Sequence, residues 1–249
     1  MNGSPLADRV VIVTRATDQA GELTGRLEAL GARVVEVAVT MTEDPSDGGV
    51  ALRREANNLA HYDWVVLASR NAARRLLACS PQLELVSIAA VGPGTAAELQ
   101  TGRVVTALIP DRNTAVGLVD AFPSGGGRVL LPQAAEGRPV LAAGLREKGW
   151  EVVVVEAYRT VPVADPLSAL TVTQLGLIDA ADAVIVAAPS AARAWAAAIG
   201  DRPFLSGVAV ISMGPTTTQE TAALGLRVAA TAEPSTLDGL VDAVARALQ

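Results

Sequence analysis

Asp63-Trp64-Val65-Val66-Leu67-Ala68-Ser69-Arg70-Asn71-Ala72-Ala73-Arg74 returns 119 positions later as Asp182-Ala183-Val184-Ile185-Val186-Ala187-Ala188-Pro189-Ser190-Ala191-Ala192-Arg193. Each copy is a short run of branched aliphatics, then a small polar turn, then an alanine-rich stretch. That is the pattern of a buried strand feeding a helix. Arg9-Val10-Val11-Ile12-Val13 returns at the same spacing as Arg128-Val129-Leu130-Leu131-Pro132, and the helical pattern that follows places Leu27 over Leu145. Val91-Gly92-Pro93-Gly94-Thr95 returns 122 positions on as Met213-Gly214-Pro215-Thr216-Thr217. A long period repeated only twice is not a solenoid, whose units are far shorter. It marks two similar α/β domains, with a ligand cleft expected between them.

Working outward, strands are expected near 10–15, 33–39, 63–68, 87–91, 103–107, 128–132, 151–157, 182–187, 208–212 and 227–230. Amphipathic segments such as Leu23-Leu27-Leu30 and Leu141-Leu145 separate most of them. Gly31 and Gly149 follow the last turns of two such segments, where a glycine ends a helix. Strand, helix, strand in this rhythm means parallel sheets with right-handed crossovers. Two divisions of the chain fit the residues. Pro123-Ser124-Gly125-Gly126-Gly127 reads as a linker between contiguous halves. Alternatively, the stretches Thr40–Gly49 and Arg159–Pro166, at the same phase of the repeat, bound a middle domain inserted into one made of both chain ends. The second division gives each domain five strands, as a flavodoxin-like sheet has.

Half of the residues are hydrophobic but only 3% are aromatic, so the cores must be aliphatic and alanine-rich. The net charge of -6 argues against nucleic acid as a partner, since that needs a basic footprint. One histidine and one cysteine leave almost nothing from which to build a metal site. Cys79 cannot form an internal disulfide, which suits a reducing cytoplasm. Residues 1–8 lack a basic start and an apolar run, and the uncharged stretch 203–219 is broken by Gly, Pro, Ser and Thr. Neither a secretory signal nor a membrane span is expected.

In open parallel sheets ligands gather beyond the carboxyl ends of the strands. The polar residues lie in those loops: Thr14-Arg15, Ser69-Asn71, Gly92-Thr95, Gln133, Ser190 and Gly214-Thr217. Each loop opens a helix, so Asn71, Thr95, Ser190 or Thr216 taken singly is accounted for as a helix cap. Their gathering in both halves points further, because helix N-termini bind carboxylates and phosphates. The Gly-Pro-x-Thr turns lack the endings of phosphate and dinucleotide loops. Arg138, at a helix start, opposes the helix dipole, and an anionic ligand would give it a purpose. Tyr158 is expected at a strand end, at a domain edge. His61 reads as surface or packing. No Ser/His/Asp or Cys/His set is present.

The ordered motifs resemble one family. These are the opening Val13-Thr14-Arg15 strand, Asp63 to Ala72 with Ser69 and Asn71, Val91-Gly92-Pro93 with Thr95-Ala96, Leu145 with Gly149 leading to Ala157-Tyr158-Arg159-Thr160, and Gly214-Pro215-Thr216-Thr217. Together they resemble uroporphyrinogen-III synthase over nearly the whole chain. The resemblance implies two flavodoxin-like domains: residues 1–39 plus 162–249, and residues 42–157, joined by a two-strand hinge at 40–41 and 158–161. It implies a monomeric cytoplasmic enzyme of heme, siroheme or cobalamin biosynthesis. Such an enzyme cyclises hydroxymethylbilane with loss of water and inversion of the last pyrrole ring, with no metal or organic cofactor. Tyr158 would assist departure of the hydroxyl group. Arg15, Ser69, Asn71, Gly92, Thr95, Arg138, Ser190, Gly214, Thr216 and Thr217 would hold the substrate. There are three departures from the family pattern: Ala188 stands where serine is frequent, Gln133-Ala134 where Arg-Gly is, and Ala38 where proline is common. The competing reading is a non-enzymatic cytoplasmic two-domain binding or sensor protein for a small anionic metabolite, since fold does not fix function. A regulatory domain of a larger tetrapyrrole or signalling protein is a third.

Overall fold

The computed structural model describes residues 4–79, 82–200 and 208–249. In chain order the elements are β1 (Val10–Val13), α1 (Thr17–Ala29), β2 (Arg33–Glu36), β3 (Thr40–Glu43), α2 (Val50–Ala56), β4 (Trp64–Leu67), α3 (Arg70–Leu77), β5 (Ser87–Ala90), α4 (Pro93–Thr101) and α5 (Ala115–Ala121). They continue as β6 (Arg128–Ala134), α6 (Pro139–Glu147), β7 (Glu151–Pro162), α7 (Val172–Asp179), β8 (Ala183–Val186), α8 (Pro189–Ile199), β9 (Ala209–Ser212), α9 (Pro215–Ala223), β10 (Val228–Thr231) and α10 (Leu237–Ala247). Contacts divide the chain into two units, Met1–Met41 with Val161–Gln249, and Thr42–Thr160.

The first unit holds a sheet of order β10-β9-β8-β1-β2. Counting only its own strands, that is the flavodoxin order 2-1-3-4-5. The pairs β1–β2, β1–β8, β8–β9 and β9–β10 are all parallel. All four residues of β8 are fully buried, which explains why its sequence does not alternate. Val184 and Val186 pack with Val10, Ile12 and Trp195 on one face. Ala183 and Ile185 pack with Val11, Val13, Leu23 and Leu240 on the other.

The second unit repeats this layering. Val65 and Leu67 of β4 join one core with Leu76 and Ile88, and Val66 joins another with Leu118, Phe122 and Leu131. Its sheet order is β3-β7-β6-β4-β5. By the repeat, β6, β7, β4 and β5 stand where β1, β2, β8 and β9 stand in the first unit.

The fifth strand differs from expectation. No strand forms over 103–107; the segment makes one isolated parallel bridge, Ala89 with Leu108. Arg103 turns the chain with φ 60° just beforehand, and Val105 points into solvent at 84% exposure. The fifth strand is instead β3, on the far edge beside β7. The glycine-rich Pro123–Gly127 segment lies inside the second unit, where the Gly125 amide donates to the Lys148 carbonyl at 3.1 Å. It is not a linker between contiguous halves.

The repeated aspartates do the same work in both units. Asp63 Oδ2 accepts the Arg128 amide at 2.9 Å, and Asp182 Oδ2 accepts the Val10 amide at 2.8 Å. Each also bonds through its backbone to the two strands on either side, β6 and β5 for Asp63 and β1 and β9 for Asp182. They tie the amino-terminal edge of each sheet and leave the carboxyl-terminal edge to other chemistry. Gly31 (φ 90°) and Gly149 (φ 95°) end α1 and α6 in the left-handed region, as a glycine after a last helical turn does.

Candidate active-site loops

In the second unit the carboxyl end of β4 meets the middle of β7 through side chains. Ser69 is the N-cap of α3, and its Oγ accepts the Ala72 amide at 3.1 Å. Tyr158 donates its hydroxyl proton to the same Oγ at 3.1 Å. Two donors therefore occupy both lone pairs of Ser69, and the serine keeps its own proton to give away.

Tyr158 reaches Ser69 because β7 is irregular. The register of β6 against β7 runs Gln133 with Glu156, then Ala134 with Tyr158, so Ala157 is one residue too many. A bulge of this kind re-aims the side chains beyond it. Val155, Ala157 and Tyr158 consequently share one core, whereas strict alternation would have turned Tyr158 to the opposite face. Tyr158 thus stands inside β7 and not at a strand end, since the strand runs on to Pro162.

Tyr62 makes a contrast. It precedes β4, at the amino-terminal edge, and its hydroxyl donates to Glu55 at 2.7 Å. Burial, and then this bond, push its ionisation well above the usual tyrosine range. The same bond holds the Glu55 carboxyl below its usual range. Tyr62 is committed to structure.

The cap reading of Asn71, Thr95, Ser190 and Thr216 does not hold. The N-caps of α3, α4, α8 and α9 are Ser69, Gly92, Ala188 and Gly214. The four expected caps lie within the first turn, at the second or third helical residue. Thr95 and Thr217 are 7% and 5% exposed, so their side chains are buried. Asn71 and Ser190 are half-buried, while Thr216 and Arg138, the N-cap of α6, are exposed. Arg15 is half-buried beside Gln19, and Thr14 donates to the Ile185 carbonyl at 2.7 Å.

Gly92 (φ -166°) and Gly214 (φ 178°) are in extended backbone that any residue adopts. What they lack is a Cβ. One added at Gly92 would lie 3.3 Å from Asn113, and one at Gly214 would lie 2.7 Å from the Ser235 hydroxyl. Arg70 covers the next turn in the same manner, its Nε 3.0 Å from a Cβ on Gly94.

Asn113 and Ser235 belong to a fourth repeated stretch that the sequence reading missed. Asn113-Thr114-Ala115-Val116-Gly117-Leu118-Val119-Asp120-Ala121 returns 122 positions on as Ser235-Thr236-Leu237-Asp238-Gly239-Leu240-Val241-Asp242-Ala243. Thr114 and Thr236 cap α5 and α10 by accepting the amides of Gly117 and Gly239. The identical Gly-Leu-Val-Asp-Ala was the signal available, at the spacing already found for the Gly-Pro turns. A cluster of Ser212, Thr218 and Thr231 beneath α9 was also missed. Its members come from β9, α9 and β10, six and thirteen residues apart, and no motif marks them.

Ala188 adopts φ -152° and ψ 158°, nearly the -153° and 153° of Ser69 in the other copy. Its backbone is therefore already that of a side-chain cap. Ala188→Ser is expected to stabilise the protein by about 0.5–1 kcal/mol, the usual value of such a cap. Urea unfolding of the two forms measures it, and an unchanged or lower midpoint would show that the serine cannot reach the α8 amides.

Fold and loops together define a duplicated flavodoxin-like α/β protein, each unit carrying helix-opening donor loops suited to an anionic ligand. The family model described as uroporphyrinogen-III synthase HemD matches residues 21–242. The uroporphyrinogen-III synthase of Synechococcus elongatus is 33% identical over 264 aligned residues, covering 98% of this chain and 97% of that one. The chain belongs to the uroporphyrinogen-III synthase family, enzymes of tetrapyrrole biosynthesis. Two solved structures share the fold. A mutant uroporphyrinogen III synthase from Thermus thermophilus has a TM-score of 0.63 at 20% identity, covering 97% of this chain and 99% of that one. Uroporphyrinogen-III synthetase from Helicobacter pylori has a TM-score of 0.65 at 18% identity, covering 97% and 100%. No helix among the described residues is long and apolar enough to cross a membrane.

Proposed function

We propose that this chain cyclises hydroxymethylbilane to uroporphyrinogen III, with loss of water and inversion of the last pyrrole ring. The family match across residues 21–242 carries this reading, and the Tyr158–Ser69 pair supplies its chemistry. A hydroxyl leaves as water once it gains a proton, and closing the ring needs no change of oxidation state. Tyr158 is the acid, turning the proton it gives to Ser69 in the free protein onto the departing hydroxyl. Ser69, which keeps its own proton, then donates to the phenolate left behind. Assistance of this type typically contributes ~10²–10⁴-fold.

The remaining work is positioning, which can remove much of the barrier when two ends of one molecule must meet. The substrate's acetate and propionate groups take hydrogen bonds from the opening turns at Gly92 and Gly214 and from Ser69, Asn71, Ser190 and Thr216. Arg15 and Arg138 add positive charge. Thr95 and Thr217, with buried side chains, shape the two Gly-Pro turns. One polypeptide supplies both donor sets, so the reading is of a monomer, at work in the cytoplasm, with neither nucleic acid nor membrane as partner.

Incubation with enzymatically generated hydroxymethylbilane, followed by separation of the oxidised products, tests the function. Isomer III is expected in large excess over isomer I. Isomer I appearing at the rate of a protein-free control would overturn the assignment and leave an anion-binding protein.

A further inference from the structure

Beneath the opening turn of α9, three hydroxyls from three segments converge. Ser212 Oγ lies 2.6 Å and Thr231 Oγ1 2.7 Å from Thr218 Oγ1, while Ser212 and Thr231 are 3.3 Å apart. Thr218 Oγ1 is also 3.2 Å from the Gly214 carbonyl oxygen, which accepts its proton. Each hydroxyl has one proton and two lone pairs. With the Thr218 proton on Gly214, both its lone pairs are open to Ser212 and Thr231, and all three closer contacts are satisfied at once. Thr218 is then the hub. Chained hydroxyls polarise one another, which strengthens the last bond in the series.

The equivalent positions of the other unit carry no hydroxyl. The positions 122 residues earlier are Ala90, Ala96 and Ile109, and Ala90 and Ala96 are buried in an apolar core. The same strand-to-helix turn therefore folds without hydroxyls beneath it. Burying Ser212 completely is a cost that the fold does not demand. The first unit also differs in its other loop, where Ala188 caps nothing while Ser69 is tied to both α3 and Tyr158.

We infer that Ser212, Thr218 and Thr231 form a positioning clamp: acting through the Gly214 carbonyl, Thr218 holds the Gly214–Thr217 turn in the orientation that receives a substrate carboxylate. This rests on the proposed cyclisation. It assigns a role in that reaction to residues that need not touch the substrate.

Thr218→Val removes the hydroxyl at nearly constant shape, Thr218→Ser keeps it, and Thr218→Ala copies the other unit and serves should the valine not fit. The Val or Ala variant is expected to raise KM for hydroxymethylbilane about three- to tenfold, as loss of a hydrogen bond does. Turnover should change less than KM. Thr218→Ser should bring KM back towards the wild-type value, and amide exchange over residues 214–218 should quicken in Val or Ala but not in Ser. A KM unmoved by loss of the hydroxyl overturns the inference, whether or not exchange quickens, as does a Ser variant that behaves like Val. Wild-type protein that forms no isomer III would instead defeat the functional reading, which a change in Thr218 variants alone cannot do.

Discussion

Tyr158→Phe is expected to lower turnover by roughly 10²–10⁴-fold, the usual contribution of a positioned proton donor. The ring stays in the core with Val155 and Ala157, and only the hydroxyl is lost. Ser69 keeps its capping bond from the Ala72 amide, so α3 retains its start and the melting temperature should fall little. Neutral hydrogen bonds contribute only about 1 kcal/mol net. Products should shift towards isomer I as the uncatalysed closure of released intermediate gains on the enzyme. Ser69→Ala is the informative companion. It loses the α3 cap and the tyrosine's partner together, so it should reduce both stability and turnover, where Tyr158→Phe reduces turnover almost alone. Steady-state rates with isomer separation, beside thermal unfolding, check both. Wild-type turnover in the Phe variant would make Tyr158 a packing residue and leave catalysis to positioning.

Gly239→Ala is expected to cause the largest loss of stability among single methyl additions outside the left-handed glycines. A Cβ there would overlap the Pro234 carbonyl oxygen, and one at Gly117 would overlap that of Arg112. In each case the obstructing carbonyl also accepts the amide of the capping threonine, Thr236 or Thr114. The obstacle is backbone and cannot rotate aside. Overpacking typically costs ~1–3 kcal/mol, and these sites belong at the upper end. In a chain of this size that is a fall in melting temperature of about 5–10 °C. Gly176→Ala is the control. It lies in α7 with nothing within 4 Å of the added methyl, and should stabilise the helix by about 0.5–1 kcal/mol. A Gly239→Ala protein that melts with the wild type would mean that the α10 cap moves freely. Its contact with Gly214 through Ser235 would then carry no constraint.

The strand-to-helix rhythm was legible because parallel strands buried on both faces need unbroken aliphatic runs. Ala183–Val186 is such a run, and all four of its residues are buried. The duplication was legible for the same reason, since each unit must fill a core on both faces of its own sheet. Edge strands carry a weaker signature. Thr40–Glu43, with its alternation of half-buried and exposed residues, reads as a polar connection although it is β3. Val104-Val105-Thr106 reads as a strand although Arg103 turns the chain away.

Among the site residues, the sequence by itself determined which types lie in the helix-opening loops, because turn chemistry and strand ends are local. It did not determine which of them cap, which are buried, or which meet. Ser69 and Asn71 are two residues apart, yet one caps α3 and binds Tyr158 while the other is the second residue of the helix. Tyr158 would face away from Ser69 by alternation along β7. The extra residue at Ala157 turns it round, and that bulge exists only in the pairing of β7 with β6. The hydroxyls of Ser212, Thr218 and Thr231 meet only once β9, α9 and β10 are packed. Local patterns specify elements, but contacts between side chains distant in sequence depend on register and packing, and those are properties of the assembled sheet.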